Sequence, residues 1–143
     1  MKVVILSCEN TDKIIEHFIA YGHNCFIVFS SVDREYYLLN GIDTVRVNGF
    51  SKESTRDKLM KIKGSLKERF FLVYSPTIID FDLEKTEEFH KSHQCITTLI
   101  EKENKLCSAI LETEIFDYLE TTNDLEKETF VKIGQDTEIQ IYN

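Results

Sequence analysis

Polar side chains follow the apolar segments of this chain, at the positions where parallel strands present groups to a ligand. Hydroxyls, a guanidinium and the N–H groups of a helix start could together hold an anion or a nucleoside. With so few groups for phosphate, we expect millimolar affinity at best, on the order of -4 kcal/mol. The pattern predicts a weak site for an anion or a nucleoside. Its candidate residues are Ser7, Cys8, Glu9, Ser30, Ser31, Thr55, Arg56, Tyr74 and Ser75.

Two carboxylates, Asp80 and Asp82, are separated by one residue. Together with Glu9 they could hold Mg²⁺ or Mn²⁺ against a diphosphate, as in a minimal metal-dependent transferase. Alternatively, Asp82 caps the amphipathic segment that follows it and Asp80 is a turn residue. We favour the capping interpretation and predict no metal or other cofactor, with Mg²⁺ on Asp80 and Asp82 as the alternative.

Histidines and cysteines offer a second type of chemistry. His90 and His93 could share a metal, but no nearby spacing completes a tetrahedral ligand set, so buried hydrogen-bonded histidines are favoured. Cys8 and His17 could act as nucleophile and base, but helical geometry does not direct His17 towards Cys8. No catalytic residue is therefore predicted. The four cysteines lack paired spacing, which is typical of thiols in a reducing compartment.

The segments that must position these residues alternate between strand and helix patterns. Short, continuous apolar runs over Val3–Leu6, Cys25–Phe29 and Phe70–Tyr74 predict parallel strands covered on both faces. The segment Thr11–Tyr21 between the first two predicts an amphipathic helix that Gly22 ends. Further helices are predicted over 33–39, 51–62, 83–93, 113–119 and 125–133, and further strands over 44–48, 95–101, 106–111 and 138–142. The whole chain, 1–143, is predicted to be one domain, a Rossmann-like three-layer α/β/α sandwich with a mostly parallel mixed sheet.

Local signals set the ends of these segments. Ser54 with Asp57, and Asn123 with Glu126, have the spacing of capping boxes. Gly64 and Gly134 are the predicted helix stops that follow. The polar residues 102–105 predict a hairpin turn between two strands.

Composition excludes several classes of partner. The net charge of -8 opposes binding to nucleic acid, which needs clustered Lys and Arg. No leader and no run of eighteen apolar residues is present, so we expect a cytoplasmic protein without a membrane partner. The first strand also continues into its helix without a glycine-rich phosphate loop.

Several motifs occur in the order found in the sugar-1-phosphate nucleotidyltransferases. The matching segments are Thr55-Arg56, Tyr74-Ser-Pro-Thr77, Asp80-Phe-Asp82, Phe89-His-Lys-Ser-His93, Cys95-Ile-Thr97 and Ile115-Phe-Asp-Tyr-Leu119. The chain resembles this family over nearly its whole length, and the glucose-1-phosphate cytidylyltransferases are the most similar pattern. The resemblance implies the fold of those enzymes and a cleft for a nucleotide and a sugar phosphate.

The motifs that perform catalysis in that family are missing here. Its glycine-rich loop and Pro-Lys motif have no counterpart between Leu6 and Asp12, and Pro76 replaces the metal-binding aspartate. Proline can neither bind a metal nor donate a backbone hydrogen bond. Nucleotidyl transfer depends on positioning and charge neutralisation, so these losses predict an inactive relative.

The resemblance therefore leads to a functional expectation with one alternative. We expect a shortened, catalytically inactive nucleotidyltransferase-like protein that acts as a binding or assembly module in sugar-nucleotide and surface-polysaccharide metabolism. Its expected partner is a second copy of itself or an active nucleotidyltransferase. The alternative is a minimal active sugar nucleotidyltransferase or glycosyltransferase that uses a divalent metal.

Overall fold

Seven strands form one mixed sheet in the computed structural model, which describes residues 1–6, 11–30, 43–48, 54–74, 81–136 and 139–142. The strands are β1 (Lys2–Ile5), β2 (Cys25–Ser30), β3 (Asp43–Asn48), β4 (Phe70–Val73), β5 (Thr97–Lys102), β6 (Lys105–Leu111) and β7 (Ile139–Tyr142). Their order in space is β3-β2-β1-β4-β6-β5-β7. Only β6 runs antiparallel to its neighbours, β4 and β5. The predicted mixed, mostly parallel sheet is confirmed.

Within the described part of the chain, five α-helices cover the two faces of the sheet. They are α1 (Thr11–Ala20), α2 (Thr55–Ile62), α3 (Leu83–His93), α4 (Ile115–Leu119) and α5 (Phe130–Gln135). One buried cluster joins α1 and α3 to the sheet, and a second joins α2, α4 and α5 to its other face. The predicted three-layer sandwich is therefore confirmed. Within the described ranges, every helix is too short or too polar to cross a bilayer.

The apolar runs form central strands because helices cover them on both sides. Every residue of β4 is buried, and so are Val3, Val4 and Ile5 of β1. Alternate residues enter opposite clusters: Val4 faces the α2 side, whereas Val3 and Ile5 face α1. Such strands have no solvent-facing positions, which explains why their sequences are continuous rather than alternating.

Several predicted helix ends are confirmed. The Ser54 side chain accepts a hydrogen bond from the N–H of Asp57, 3.1 Å away, and Asp82 accepts one from the N–H of Lys85 at 3.1 Å. Gly22, with φ of 86°, terminates α1 as expected, because a residue with a side chain rarely adopts that conformation.

Two predicted helix signals are wrong. Asp124, rather than Asn123, accepts the capping hydrogen bond, from the N–H of Lys127 at 2.7 Å. Gly134 lies inside α5, which continues to Gln135. A π-helical turn, Leu125–Thr129, precedes α5, and because such a turn is wider than an α-helical one, the α-helix ends later than the sequence predicted. The predicted helix over 33–39 lies outside the described residues.

A tight hairpin connects β5 and β6. Glu103 and Asn104 occupy its tip with φ of 54° and 62°, the positive values that a type I′ turn requires. The predicted strand over 95–101 is shifted to Thr97–Lys102, because Cys95 and Ile96 form the connection from α3.

Replacing Asp82 with alanine is expected to lower the free energy of unfolding by about 1 kcal/mol, because the N–H groups of the first turn of α3 lose their acceptor. Asp82→Asn retains an acceptor oxygen and should recover most of that loss. Urea denaturation of both variants provides the measurement. Equal stability of Asp82→Ala and the unmodified chain would contradict the capping role.

Candidate functional site

Three of the predicted binding residues lie near one another at the carboxyl-terminal edge of the parallel strands. Tyr74 directly follows β4, and Thr55 and Arg56 form the first turn of α2. The Thr55 hydroxyl donates a hydrogen bond of 3.0 Å to Oε1 of Glu126. We refer to Thr55, Arg56, Tyr74 and Glu126 as the carboxyl-edge cluster.

Arg56 makes contacts within the protein rather than projecting freely. Its Nε donates a 3.0 Å hydrogen bond to the carbonyl oxygen of Leu119 at the end of α4, and its Nη1 lies 3.1 Å from Oδ1 of Asp57. The contact with Leu119 connects α2 to α4. A phosphate that used this guanidinium would have to compete with both contacts.

Tyr74 places a buried phenol beside acidic groups. Its hydroxyl oxygen is buried and has no hydrogen-bond partner among the described residues. Burial raises the pKa of this phenol well above its ordinary value, and the carboxylates of Glu126 and Asp124 raise it further. The phenol therefore stays neutral, in surroundings of negative potential that oppose a bound phosphate.

The π-helical turn places Glu126 in this cluster. The N–H of Thr129 donates to the carbonyl of Asp124 at 2.9 Å, across five residues rather than four. Thr129 also contacts the Thr122 hydroxyl, with 2.6 Å between the two buried oxygens. The sequence predicted Glu126 to be part of a capping box, and the structure instead pairs it with the first residue of α2.

Some of the remaining predicted residues lie within the described ranges, and others lie outside them. Ser30 ends β2 at the same edge, and Asp82 caps α3. His17, the possible base for Cys8, has its Nε2 2.7 Å from the carbonyl oxygen of Phe81. The predicted residues that lie outside the described ranges are Ser7, Cys8, Glu9, Ser31, Ser75 and Asp80.

Of the carboxylates in the alternative magnesium site, Glu9 and Asp80 lie outside the described residues. Mg²⁺ requires several oxygen ligands in octahedral geometry. Within the described ranges, no three His, Cys, Asp or Glu side chains come close enough to share a metal. Asp82, one of the two alternative ligands, already accepts the capping hydrogen bond of α3.

A second polar site, which the sequence analysis did not anticipate, lies at the opposite edge of the sheet. Arg69 precedes β4, and Glu112 follows β6. Nε of Arg69 lies 3.0 and 2.8 Å from the two oxygens of Glu112, and its Nη2 lies 2.7 Å from Oε1. This bidentate pair contributes to the wall of a cavity of about 460 Å³, which we call the amino-edge cavity. The other lining residues are His90, Lys91, Gln94, Cys95, Ile96 and Glu114.

His90 connects this ion pair to the interior. Its ring is only 1% exposed. Nδ1 lies 2.7 Å from the hydroxyl oxygen of Thr98, and Nε2 lies 3.4 Å from Oε2 of Glu112 without forming a hydrogen bond. His90 is thus the buried, hydrogen-bonded histidine that the sequence predicted, whereas His93 is exposed and approaches the Phe89 carbonyl oxygen at 2.7 Å.

The charges of this site are coupled. Burial raises the pKa of the Glu112 carboxyl, but hydrogen bonding and the positive charge of Arg69 outweigh burial and leave that pKa below its ordinary value. Burial lowers the pKa of the His90 imidazole, although Glu112 opposes this effect. At neutral pH the site therefore contains a charged Arg69–Glu112 pair beside a neutral imidazole.

Strand register explains how two distant residues form this pair. Phe70 of β4 lies opposite Leu111 of β6, so the residues one position outside, Arg69 and Glu112, meet beyond the strand ends. The sequence contained a signal, because each charge directly borders a buried strand. Its pairing could not be predicted before the order of β4 and β6 was known.

Comparison with solved structures identifies the fold. No protein-family model matches the chain, and no curated protein sequence matches it. A proposed glucose-1-phosphate thymidylyltransferase from Bacillus anthracis, in complex with sucrose, superposes over 99% of this chain and 86% of its own with a TM-score of 0.74 and 8% identity.

Two other structures have the same architecture. One is a proposed nucleotide-diphospho-sugar transferase from Desulfovibrio desulfuricans, with a TM-score of 0.55, 11% identity, and coverage of 99% of this chain and 79% of its own. The other is 4-diphosphocytidyl-2C-methyl-D-erythritol synthase from Anaerococcus prevotii, with a TM-score of 0.62, 5% identity, and coverage of 99% and 88%. The chain therefore has the Rossmann-like fold of nucleotide-diphospho-sugar transferases.

Proposed function

We propose that this protein is a shortened, catalytically inactive relative of the sugar-1-phosphate nucleotidyltransferases, most similar to the glucose-1-phosphate cytidylyltransferases. It acts as a binding or assembly module in cytoplasmic sugar-nucleotide and surface-polysaccharide metabolism. The shared fold supports the ancestry, and the missing loop and metal-binding aspartate in the sequence support the inactivity.

The observation that carries this proposal is the hydrogen bond from Thr55 to Glu126. A nucleotidyltransferase must gather positive charge around the phosphates of its substrate. Here the Glu126 carboxylate contacts the Thr55 hydroxyl at the start of α2, and its negative charge opposes a second anion near this helix N-terminus. Asp124 adds a second negative charge near Tyr74.

The use of Arg56 supports the same conclusion. Its hydrogen bond to Leu119 connects α2 to α4, and it also pairs with Asp57 on its own helix, so this cation already has a structural role. The rival proposal, a minimal transferase with a divalent metal, requires Glu9 and Asp80 together with Asp82. Of these three carboxylates, Asp82 is the one within the described ranges, and its Oδ1 accepts the capping hydrogen bond from the N–H of Lys85.

A thermal-shift screen tests the proposal. CTP, UTP, ATP, dTTP and common sugar 1-phosphates are each added with and without Mg²⁺. A ligand at one hundred times its dissociation constant would stabilise the fold by about 2.7 kcal/mol, and we expect no shift of that size. A Mg²⁺-dependent shift with one nucleotide, accompanied by pyrophosphate release, would establish the rival instead.

Variants at Glu126 test whether its carboxylate is the group that opposes the binding of phosphates. Glu126→Gln removes a negative charge but retains an oxygen that can accept the hydrogen bond of Thr55. The repulsion between two unit charges about 4 Å apart is about 1 kcal/mol even in water, and the variant removes this repulsion from a bound anion. The variant is therefore expected to bind pyrophosphate about fivefold more tightly than the unmodified chain. The matched control is Glu120→Gln, whose exposed carboxylate pairs with Lys63 at the other end of α2.

The proposed partner is a second copy of this chain or an active nucleotidyltransferase. The exposed large apolar side chains in the described ranges belong to three elements: Ile19 and Tyr21 on or just after α1, Val131 on α5 and Ile141 on β7. Such dispersed residues do not identify an interface. Sedimentation velocity over a hundredfold concentration range tests self-association, and a monomer at every concentration would leave the active enzyme as the partner to pursue.

A further inference from the structure

The last strand, β7, forms an open edge of the sheet. It pairs in parallel with β5, in a continuous register from Thr97 opposite Ile139 to Ile100 opposite Tyr142. Within the described ranges, no strand pairs with its other side. Alternate residues of a strand direct their N–H and C=O groups to opposite sides, so part of the backbone of β7 points away from β5. These groups can form hydrogen bonds with a further strand.

The sequence of β7 lacks the features that normally protect an edge strand. Proteins block such edges with charged side chains, above all Lys, with Pro, or with a β-bulge. The segment Ile139-Gln-Ile-Tyr142 contains no charged residue and no proline, and its pairing with β5 shows no bulge. At the other edge of the sheet, β3 carries Asp43 and Arg46. Of the two edge strands, β7 is therefore the one suited to a further strand.

Apolar side chains flank this edge on both faces of the sheet. The ring centroid of Tyr142 lies 5.2 Å from that of Phe89 on the α3 side, and Phe89 lies 4.1 Å from the ring of His93. Successive residues of a strand face opposite sides, so Ile141 faces the other layer of helices, and it is 49% exposed. Aromatic rings and exposed aliphatic side chains of this kind are typical of the centre of a protein interface.

We propose that β7 is the docking edge for β7 of a second copy of this chain, which adds antiparallel across a two-fold axis perpendicular to the sheet. The inference rests on the proposed self-association and names the surface that performs it. Such a pairing is self-complementary, because the outward backbone groups of each copy bond to those of the other. One sheet then continues through both copies.

The area of contact favours a second copy over an isolated peptide strand. A stable interface buries about 1,200 Å² or more, which a four-residue strand does not provide alone. The two-fold axis keeps like layers of helices on the same side of the sheet, so each copy also brings its Phe89–Tyr142 contact and its Ile141 side chain to the interface.

The charge distribution favours the same edge. The net charge of -8 makes two copies repel one another. A strand without charged residues is a place where two such chains can approach with little local repulsion.

Disulfide cross-linking tests the strand pairing directly. The two-fold axis places one residue of β7 opposite its own copy, with about 4.5–5.5 Å between the Cα atoms, a separation that a disulfide spans. To pair most of the strand, this residue must be Gln140 or Ile141. One of the variants Gln140→Cys and Ile141→Cys should therefore form a dimer linked at that position under mild oxidation, whereas Ile19→Cys on α1 should not.

Peptide mapping by mass spectrometry separates this link from any disulfide of the native cysteines. If neither β7 variant forms a disulfide with its own copy, the proposed pairing is wrong.

Sedimentation velocity measures the strength of the same contact. Ile141→Lys introduces the residue that protects natural edge strands and should weaken dimerisation at least about tenfold. Ile19→Lys is the matched control, because Ile19 is 40% exposed on α1 and the substitution changes the net charge equally. This control should dimerise like the unmodified chain. Urea denaturation establishes that both variants fold, and if Ile141→Lys does not, the cross-linking result decides.

The outcomes separate this edge from the proposed self-association. A dimer that folded Ile141→Lys does not weaken, and that neither β7 disulfide traps, would overturn the role of β7 while self-association stands. A monomer at every concentration of the unmodified chain would overturn both and leave an active nucleotidyltransferase as the partner to pursue. Aggregates larger than a dimer would also contradict the pairing, because a two-fold contact closes on itself.

Discussion

Replacing Phe71 with alanine is expected to lower the free energy of unfolding by about 3–5 kcal/mol, because this ring fills the space between the sheet and α1. Phe71 is fully buried on β4. Its ring centroid lies 5.1 Å from that of Phe18 in an edge-on arrangement and 5.6 Å from that of His23. The substitution removes both ring contacts and leaves a cavity beside the central strand.

Urea denaturation, followed by circular dichroism, measures this loss. Val131→Ala is the control, because Val131 is 55% exposed on α5 and should change stability by no more than about 0.5 kcal/mol. A loss below about 1.5 kcal/mol for Phe71→Ala would be inconsistent with the described packing of α1 on β4.

Replacing Glu112 with glutamine is expected to lower the free energy of unfolding at pH 7 by about 1–2 kcal/mol. Breaking a fully buried ion pair costs about 3–5 kcal/mol, but Arg69 and Glu112 are both about one-quarter exposed, and solvent reduces the effect. Glutamine also retains one acceptor for the guanidinium. In the control, Glu120→Gln breaks the exposed pair with Lys63 and should cost only about a few tenths of a kcal/mol.

The same variant should show a distinct pH dependence. Because the pKa of Glu112 is lowered by folding, its contribution is fully present above the ordinary value of 4.5 and is lost as pH falls through the folded pKa. The stability difference between the unmodified chain and Glu112→Gln should therefore shrink below pH 4.5. Urea titrations at pH 7 and pH 4 test this, and a difference that grows with acidity would contradict the assigned ion pair.

The architecture was predictable because its signals are local. The buried runs at β1, β2 and β4 are continuous and apolar, which is the pattern of strands covered on both faces. Ser54 and Asp82 were predicted as caps because capping depends on residues only three positions apart. These features needed no knowledge of the rest of the fold.

The functional clusters depend on distant parts of the chain and were predictable only in part. Thr55 and Tyr74 were candidate binding residues, but their association with Glu126 requires the packing of the C-terminal helices on α2. Arg69 and Glu112 meet only because β6 pairs with β4. Asn123 was wrongly predicted as a helix cap and Gly134 as a helix stop. Both predictions used α-helical spacing, whereas this segment begins with a π-helical turn.

That π-helical turn has a geometric consequence. A π-turn accommodates one residue more than the α-helical turn it replaces, and each residue of an α-helix advances by about 100° around the axis. Inserting a single codon into an ancestral helix therefore rotates every side chain on one side of the insertion relative to those on the other. The π-helical turn at Leu125–Thr129 therefore sets the angle at which the helix presents Glu126 to Thr55. Removing one residue from this turn would rotate the Glu126 carboxylate away from α2.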